Sequence, residues 1–176
     1  MTKTLIVYAT TDGHTRKICE RLQQVIEEQG GQVQLLQIDE AHPDLMQFDK
    51  IVVGASIRYG KHSKLIYNFV KVNQKLLESK PNAFFSVNVV ARKPEKNQPD
   101  TNPYLKKFLT QIAWQPKQLA VFGGNLDYPG CRYLDRQMIR LIMWMTKGPT
   151  APDTVIDYTY WDLLEAFGKL ISEMQA

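Results

Sequence analysis

Thr10-Thr11-Asp12-Gly13-His14-Thr15, near the start of the chain, has the residue types and spacing that hold a phosphate. A phosphate needs backbone N–H groups, a helix N-terminus and short hydroxyl donors, and this segment offers all three. Gly13 lets the backbone approach closely, and Thr10, Thr11 and Thr15 supply hydroxyls. The same residues would also make an ordinary capped turn, since Ser, Thr and Asp are common N-cap residues. Two other phosphate devices are excluded. The chain has no G-x-G-x-x-G, although Asp39 closes its second apolar run, and it has no G-x-x-x-x-G-K-[ST].

Two more polar segments follow apolar runs. One is Gly54-Ala55-Ser56-Ile57-Arg58-Tyr59-Gly60; the other is Ser86-Val87-Asn88-Val89-Val90-Ala91-Arg92-Lys93. With the first loop they would form a mononucleotide site, a planar ring held edgewise between two loops and its phosphate on the third. Tyr59 could stack on that ring or simply pack in a turn. No residue presents itself as a catalytic base. His14 belongs to the phosphate loop and His42 to a linker, while His62 follows the Tyr59 loop as a capping or solvated residue, or as the one histidine near a ring.

The elements that must position these loops are legible from periodicity. Thr4–Ala9, Val33–Ile38, Lys50–Ala55, Ala83–Val90 and Leu119–Gly123 read as strands. Between them, His14 to Gly30, Leu65 to Leu76 and residues 102–113 carry helical spacing, as does the stretch from Trp161 to Met174 at the end. Strands alternating with helices imply a parallel sheet covered on both faces. Five of them suit an α/β, flavodoxin-like order 2-1-3-4-5, in one domain spanning 1–176. In such a sheet the loops at the carboxyl ends of strands one, three and four line one crevice.

About 30 residues, roughly 124–154, interrupt this alternation after strand five, and loops of that length are usually functional. The insertion carries its own helical pattern over about 132–147. Leu134, Met138, Leu141, Ile142 and Met145 share one face; Arg132, Arg136, Arg140 and Lys147 share another, with Met143 among them. A surface helix of this kind ordinarily packs its apolar face on the domain and solvates its arginines. The soft, bulky set Met138, Met143, Trp144 and Met145 also suits an adaptable site or interface.

Composition bounds the rest. The 176 residues are 44% hydrophobic and 23% charged, which excludes a disordered, collagen-like or coiled-coil chain. Cys19 and Cys131 have no metal-ligand spacing, so no metal is expected and both read as packing residues. No apolar run approaches a membrane span or a signal peptide, which leads to the expectation of a cytoplasmic protein.

The three loop strings and Tyr133-Leu134-Asp135-Arg136-Gln137-Met138-Ile139-Arg140-Leu141-Ile142-Met143 carry a further signal. The chain resembles flavodoxin-like FMN proteins along its whole length, and most closely the bacterial quinone-dependent protoporphyrinogen oxidases. The Ser-Ile-Arg-Tyr-Gly and Ala-Arg-Lys-Pro-Glu-Lys strings are the specific part. The resemblance implies FMN and the six-electron oxidation of protoporphyrinogen IX to protoporphyrin IX in haem synthesis. Electrons would pass to menaquinone or ubiquinone at the inner-membrane surface, with the protein peripherally associated there. By the same resemblance, Thr10–Thr15 would take the FMN phosphate, and Ser56–Tyr59 and Ser86–Ala91 would flank the isoalloxazine. A flavodoxin-type electron carrier or quinone reductase without a tetrapyrrole substrate is the alternative.

The charge map bears on these readings. Residues 92–147 hold ten basic and four acidic side chains, whereas the rest of the chain is slightly acidic. Cations beside an apolar surface suit a macrocycle with two propionates or an anionic membrane, and Arg92, Lys93, Arg132, Arg136 and Arg140 are the candidates; Arg58, with Arg92 and Lys93, could hold propionates or tune the reduced flavin. No aromatic platform interleaves with them, so a nucleic-acid partner is not expected.

Overall fold

The computed structural model describes residues 1–40 and 43–175. Five parallel strands, β1 (Lys3–Ala9), β2 (Gln32–Gln37), β3 (Lys50–Ser56), β4 (Asn82–Asn88) and β5 (Gln118–Gly123), form a sheet in the order β2-β1-β3-β4-β5. This is the expected order. Buried on both faces, the central strands are nearly continuous apolar runs, and alternate side chains feed two separate cores. Leu5, Val7, Val53 and Phe84 point to one side, and Ile6, Val52, Ala83 and Phe85 to the other.

Helix α1 (His14–Glu28) and helix α6 (Trp161–Glu173) cover the second of these faces through Ile18, Leu22, Ile26, Leu164, Phe167 and Ile171. On the first face lie α2 (Lys64–Val72), α3 (Gln74–Ser79) and α4 (Pro103–Gln111). Their anchors include Ile66, Phe69, Leu77, Leu105 and Phe108. The single helix expected from Leu65 to Leu76 is divided at Asn73, whose side-chain amide donates to the Phe69 carbonyl at 2.9 Å. Buried Lys50 closes the far end of the fold, donating to the Ile171 and Ser172 carbonyls at 2.9 and 2.7 Å, where a cation suits the C-terminus of α6.

The insertion folds as a small unit of its own. Strand β6 (Asn125–Asp127) pairs antiparallel with β7 (Val155–Asp157), and α5 (Tyr133–Met145) lies across this pair. Leu126, Tyr128 and Met143 form its core, with Val89, Ile139, Ile156 and Tyr158 packed against them. Gly123 is required where the unit joins the sheet. A Cβ there would stand 2.3 Å from the Tyr158 carbonyl oxygen.

The orientation of α5 reverses the ordinary arrangement. Leu134, Met138, Leu141 and Met145 are exposed along one stripe, flanked by Tyr133 and Trp144; Leu134 is 78% and Trp144 71% accessible. The face carrying Arg136, Arg140 and Met143 is turned inward, and Met143 is buried.

Candidate functional site

Three carboxyl-end loops and the insertion enclose a cavity of about 450 Å³. Its floor at one end is the turn between β1 and α1. The Thr10 hydroxyl accepts from Gly13 N at 3.0 Å, and Asp12 accepts from His14 N at 3.2 Å. Gly13 takes φ +92°, a conformation that favours glycine, and a Cβ there would meet no atom within 4 Å, so the turn borders open space. Thr11, Asp12, His14 and Thr15 line the cavity. Thr15 is fully buried, yet its hydroxyl has no hydrogen-bond partner among the described residues.

An unpartnered buried hydroxyl costs roughly 1–3 kcal/mol, and the first turn of a helix has orphan N–H groups beside it. A bound phosphate satisfies both. The residues therefore fit the phosphate of FMN.

His14 is held at the edge of this turn. Its Nε2 lies 2.8 Å from the Thr159 hydroxyl, which itself donates to the Gly123 carbonyl at 2.7 Å, so Nε2 carries the proton. Asp157 lies 3.5 Å from the same nitrogen. Burial lowers the His14 pKa, and the Asp157 and Asp12 carboxylates oppose that shift. The loop is thereby tied to β7, the last strand of the insertion.

The second wall is the turn after β3. Arg58 and Lys61 exchange backbone hydrogen bonds of 2.9 and 3.1 Å around Tyr59 (φ +51°) and Gly60 (φ +75°). Positive φ at both central positions is the type I′ geometry, unusual for a tyrosine and therefore strained at Tyr59. Ser56, Ile57, Arg58 and Tyr59 all face the cavity. The Arg58 guanidinium meets Asp135 of α5 at 2.5 Å, and the Tyr59 hydroxyl donates to the other oxygen of the same carboxylate.

The third wall is the loop after β4. Only part of the expected Ser86–Ala91 segment reaches the cavity: Val87, Val89 and Val90 line it. Ser86, Asn88 and Ala91 are buried away from it in a polar network that shapes the loop. Asn88 accepts from Ala91 N at 3.1 Å, exchanges hydrogen bonds with Asn102, and donates to the Ser86 hydroxyl at 3.1 Å. Ser86 in turn sits 2.8 Å from His62 Nε2. His62 is neither capping nor solvated: packed against Phe84 and Phe108, its pKa is pushed down to about 4 by burial. Thr10 and His62 border a smaller neighbouring cavity of about 300 Å³, and His42 lies outside the described residues.

The basic candidates separate. Arg92 borders the cavity, but its guanidinium donates to the Val89 carbonyl at 3.1 Å and to the Thr146 hydroxyl at 3.1 Å, fastening the third loop to the end of α5. Arg136 donates to the Tyr128 carbonyl at 2.8 Å and Arg140 to the Thr150 carbonyl at 2.8 Å. Both bind the insertion's own backbone, and neither borders the cavity. Lys93 is not on the cavity wall. Arg132 is exposed at the cavity rim, and its side chain makes no hydrogen bond or ion pair among the described residues.

The apolar lining comes from Leu126, Met138, Ile139, Ile142 and Met143, of which Met138 and Met143 belong to the set expected to suit an adaptable site; Tyr104 of α4 and Asp135, which carried no such signal in the sequence, complete the wall. Cys131, expected as a packing residue, also borders the cavity. An acidic residue in a helix's first turn ordinarily signals only dipole compensation, which is why Asp135 did not stand out.

The comparisons with known proteins agree with this geometry. A flavodoxin domain model matches residues 5–153. The chain is 42% identical over 173 residues to a protein named protoporphyrinogen IX dehydrogenase [quinone] from Escherichia coli K12, covering 98% of this chain and 96% of that one. A protein of the same name from Leishmania major is 40% identical, over 94% of this chain and 72% of that one. Among solved structures, two-electron reduced flavodoxin from Megasphaera elsdenii aligns with TM-score 0.59 and 11% identity, over 97% and 99% of the two chains. Oxidised flavodoxin 1 from Bacillus cereus aligns with TM-score 0.53 and 15% identity, over 99% and 100%. With its sheet order and these relatives, the chain belongs to the flavodoxin-domain family, in the group that contains the quinone-type protoporphyrinogen IX dehydrogenases.

Proposed function

We propose that this protein oxidises protoporphyrinogen IX to protoporphyrin IX and passes the electrons to a membrane quinone, using FMN. The observation that carries the reading is the insertion roofing the cavity. A flavodoxin that only carries electrons has no need of such a wall. Here Leu126, Met138, Ile139, Ile142 and Met143 add an apolar surface beside the phosphate turn, with Arg58 and Arg132 among the lining residues. A large apolar ring with two propionates needs that combination.

FMN supplies the two-electron redox chemistry when bound. The chain's own residues bind and orient. The Thr11–Thr15 turn would hold the phosphate, and Ile57, Tyr59, Val89 and Val90, which line the same cavity, would flank the ring. The apolar residues of the insertion would limit the access of water to it. His62 is neutral and engaged with Ser86, which suits a fixed hydrogen-bond partner rather than a base.

The outward stripe of α5 supports docking on a membrane surface, where the quinone is found. Leu134, Leu141 and Met145 would enter the acyl boundary, Tyr133 and Trp144 would lie at the headgroups, and Arg132 and Lys147 flank the helix. No helix among the described residues is long and apolar enough to cross a membrane. The test is to incubate FMN-loaded protein anaerobically with protoporphyrinogen IX and a menaquinone analogue and to follow porphyrin fluorescence. Fluorescence rising above the protein-free rate supports the reading. Quinone-dependent flavin turnover without it would favour the electron carrier.

A further inference from the structure

We propose that Arg58 reads a carboxylate of the substrate, and that Asp135 is an internal carboxylate holding that position until the substrate arrives. This rests on the functional reading above and adds to it the residue pair that would select a dicarboxylic macrocycle. Arg58 and Tyr59 project from the strained turn after β3, and Asp135 from the first turn of α5; all three border the same cavity. One oxygen of Asp135 takes the Arg58 guanidinium at 2.5 Å, and the other takes the Tyr59 hydroxyl. An arginine and a phenol converging on one carboxylate are the arrangement that binds a propionate.

Of the other cavity arginines, Arg92 is committed to backbone and Thr146, and Arg132 stands exposed at the rim; Arg58 alone of the three is already held on a side-chain carboxylate, a partner that can turn away. The Arg58 side chain is 46% exposed and that of Asp135 19%, so the pair is partly screened and the Arg58 guanidinium is open to a second carboxylate. A propionate entering the cavity would take over Arg58 and Tyr59 and release Asp135 to solvent. The direct tie between the β3 turn and α5 would then run through the substrate.

The test compares protoporphyrin IX with its dimethyl ester, which has the same ring and no carboxylates, by equilibrium fluorescence titration of the FMN-loaded protein. Asp135→Asn removes the internal competitor. It is expected to bind the diacid about two- to fivefold more tightly, the range set by an exposed ion pair, with ester affinity unchanged. Arg58→Gln is expected to lose the preference for diacid over ester, and Asp135→Glu to restore wild-type behaviour. Flavin absorbance per protein is read alongside, and Asp135→Asn decides the outcome alone if Arg58→Gln releases FMN. Unchanged or weaker diacid binding in Asp135→Asn would overturn the proposal. If the wild-type protein binds diacid and ester equally, the proposal falls and the functional reading stands; if it binds neither, both fall.

Discussion

Arg136 Nε lies 2.8 Å from the carbonyl oxygen of Tyr128, so a cation on α5 caps the backbone of the segment leading into that helix. Arg140 Nε holds the Thr150 carbonyl, in the segment that leaves the helix, at 2.8 Å. These two contacts explain why the charged face of α5 turns inward, which leaves Leu134, Leu141 and Met145 exposed while Met138 and Ile142 border the cavity. They also give Arg136 and Arg140 a place in the architecture of the insertion, away from the cavity wall.

Removing either guanidinium therefore loosens the insertion. A hydrogen bond from a charged donor contributes about 1.5–3 kcal/mol. Arg136→Ala or Arg140→Ala should make residues 124–154 sensitive to limited proteolysis while α1, α6 and the sheet stay protected. Unchanged cleavage rates would contradict the structural role.

The apolar stripe gives the opposite pattern. Leu134→Glu with Trp144→Glu should reduce binding to anionic vesicles by at least about tenfold, since burying one such side chain contributes about 1.5–3 kcal/mol. Both residues are largely exposed, so the thermal midpoint should hardly change. Vesicle co-sedimentation measures the first quantity and a melting curve the second. Full vesicle binding by the double variant would rule out this stripe as a membrane-docking face.

Thr15 separates cofactor binding from folding. Its hydroxyl has no partner among the described residues, so Thr15→Val should leave the stability of the FMN-free protein equal or higher. The same variant should bind FMN about ten- to a hundredfold more weakly, the loss of one charge-assisted hydrogen bond, while riboflavin affinity, which involves no phosphate, stays the same. Equal loss for both flavins would place the hydroxyl elsewhere.

His62 sets a pH dependence. In the unfolded chain its imidazole protonates near 6.5, but in the folded protein only near 4, because burial disfavours the cation. Its contribution is therefore complete above about pH 6.5 and is lost as pH falls through about 4, by roughly 1.4 kcal/mol per unit and about 3 kcal/mol in all. His14 is lowered for the same reason and adds in the same direction. Denaturant midpoints measured from pH 7 to 4 should fall steeply for the wild type and less steeply for His62→Gln. Identical slopes would exclude His62 as the source.

The sheet was legible in the sequence because each strand is a short apolar run that stops at polar or glycine-bearing turn residues, and length and flanks, not period, tell such runs from helices. Both glycine-bearing turns, at Gly13 and Gly60, were legible for the same local reason. The direction of α5 was not. Periodicity sorts Leu134, Met138 and Leu141 from Arg136 and Arg140 but cannot say which set faces inward. That is decided by the pairing of β6 with β7 across 27 intervening residues, which brings the Tyr128 and Thr150 carbonyls to the arginines. Ser86 and Asn88 were expected as cofactor contacts because polar residues at a strand end usually face the crevice. Here the buried amide pair with Asn102 claims them. The Arg58–Asp135 ion pair joins residues 77 positions apart, and nothing local announces it.

The proposed function is tested most sharply by the stoichiometry of the anaerobic reaction. Converting protoporphyrinogen IX to protoporphyrin IX releases six electrons and six protons, and each quinone takes two of each. FMN-loaded protein should therefore reduce three quinones for every porphyrin formed, with both rates falling to background in the FMN-free protein. Quinone reduction without porphyrin formation, or porphyrin formation independent of quinone, would contradict the proposed function.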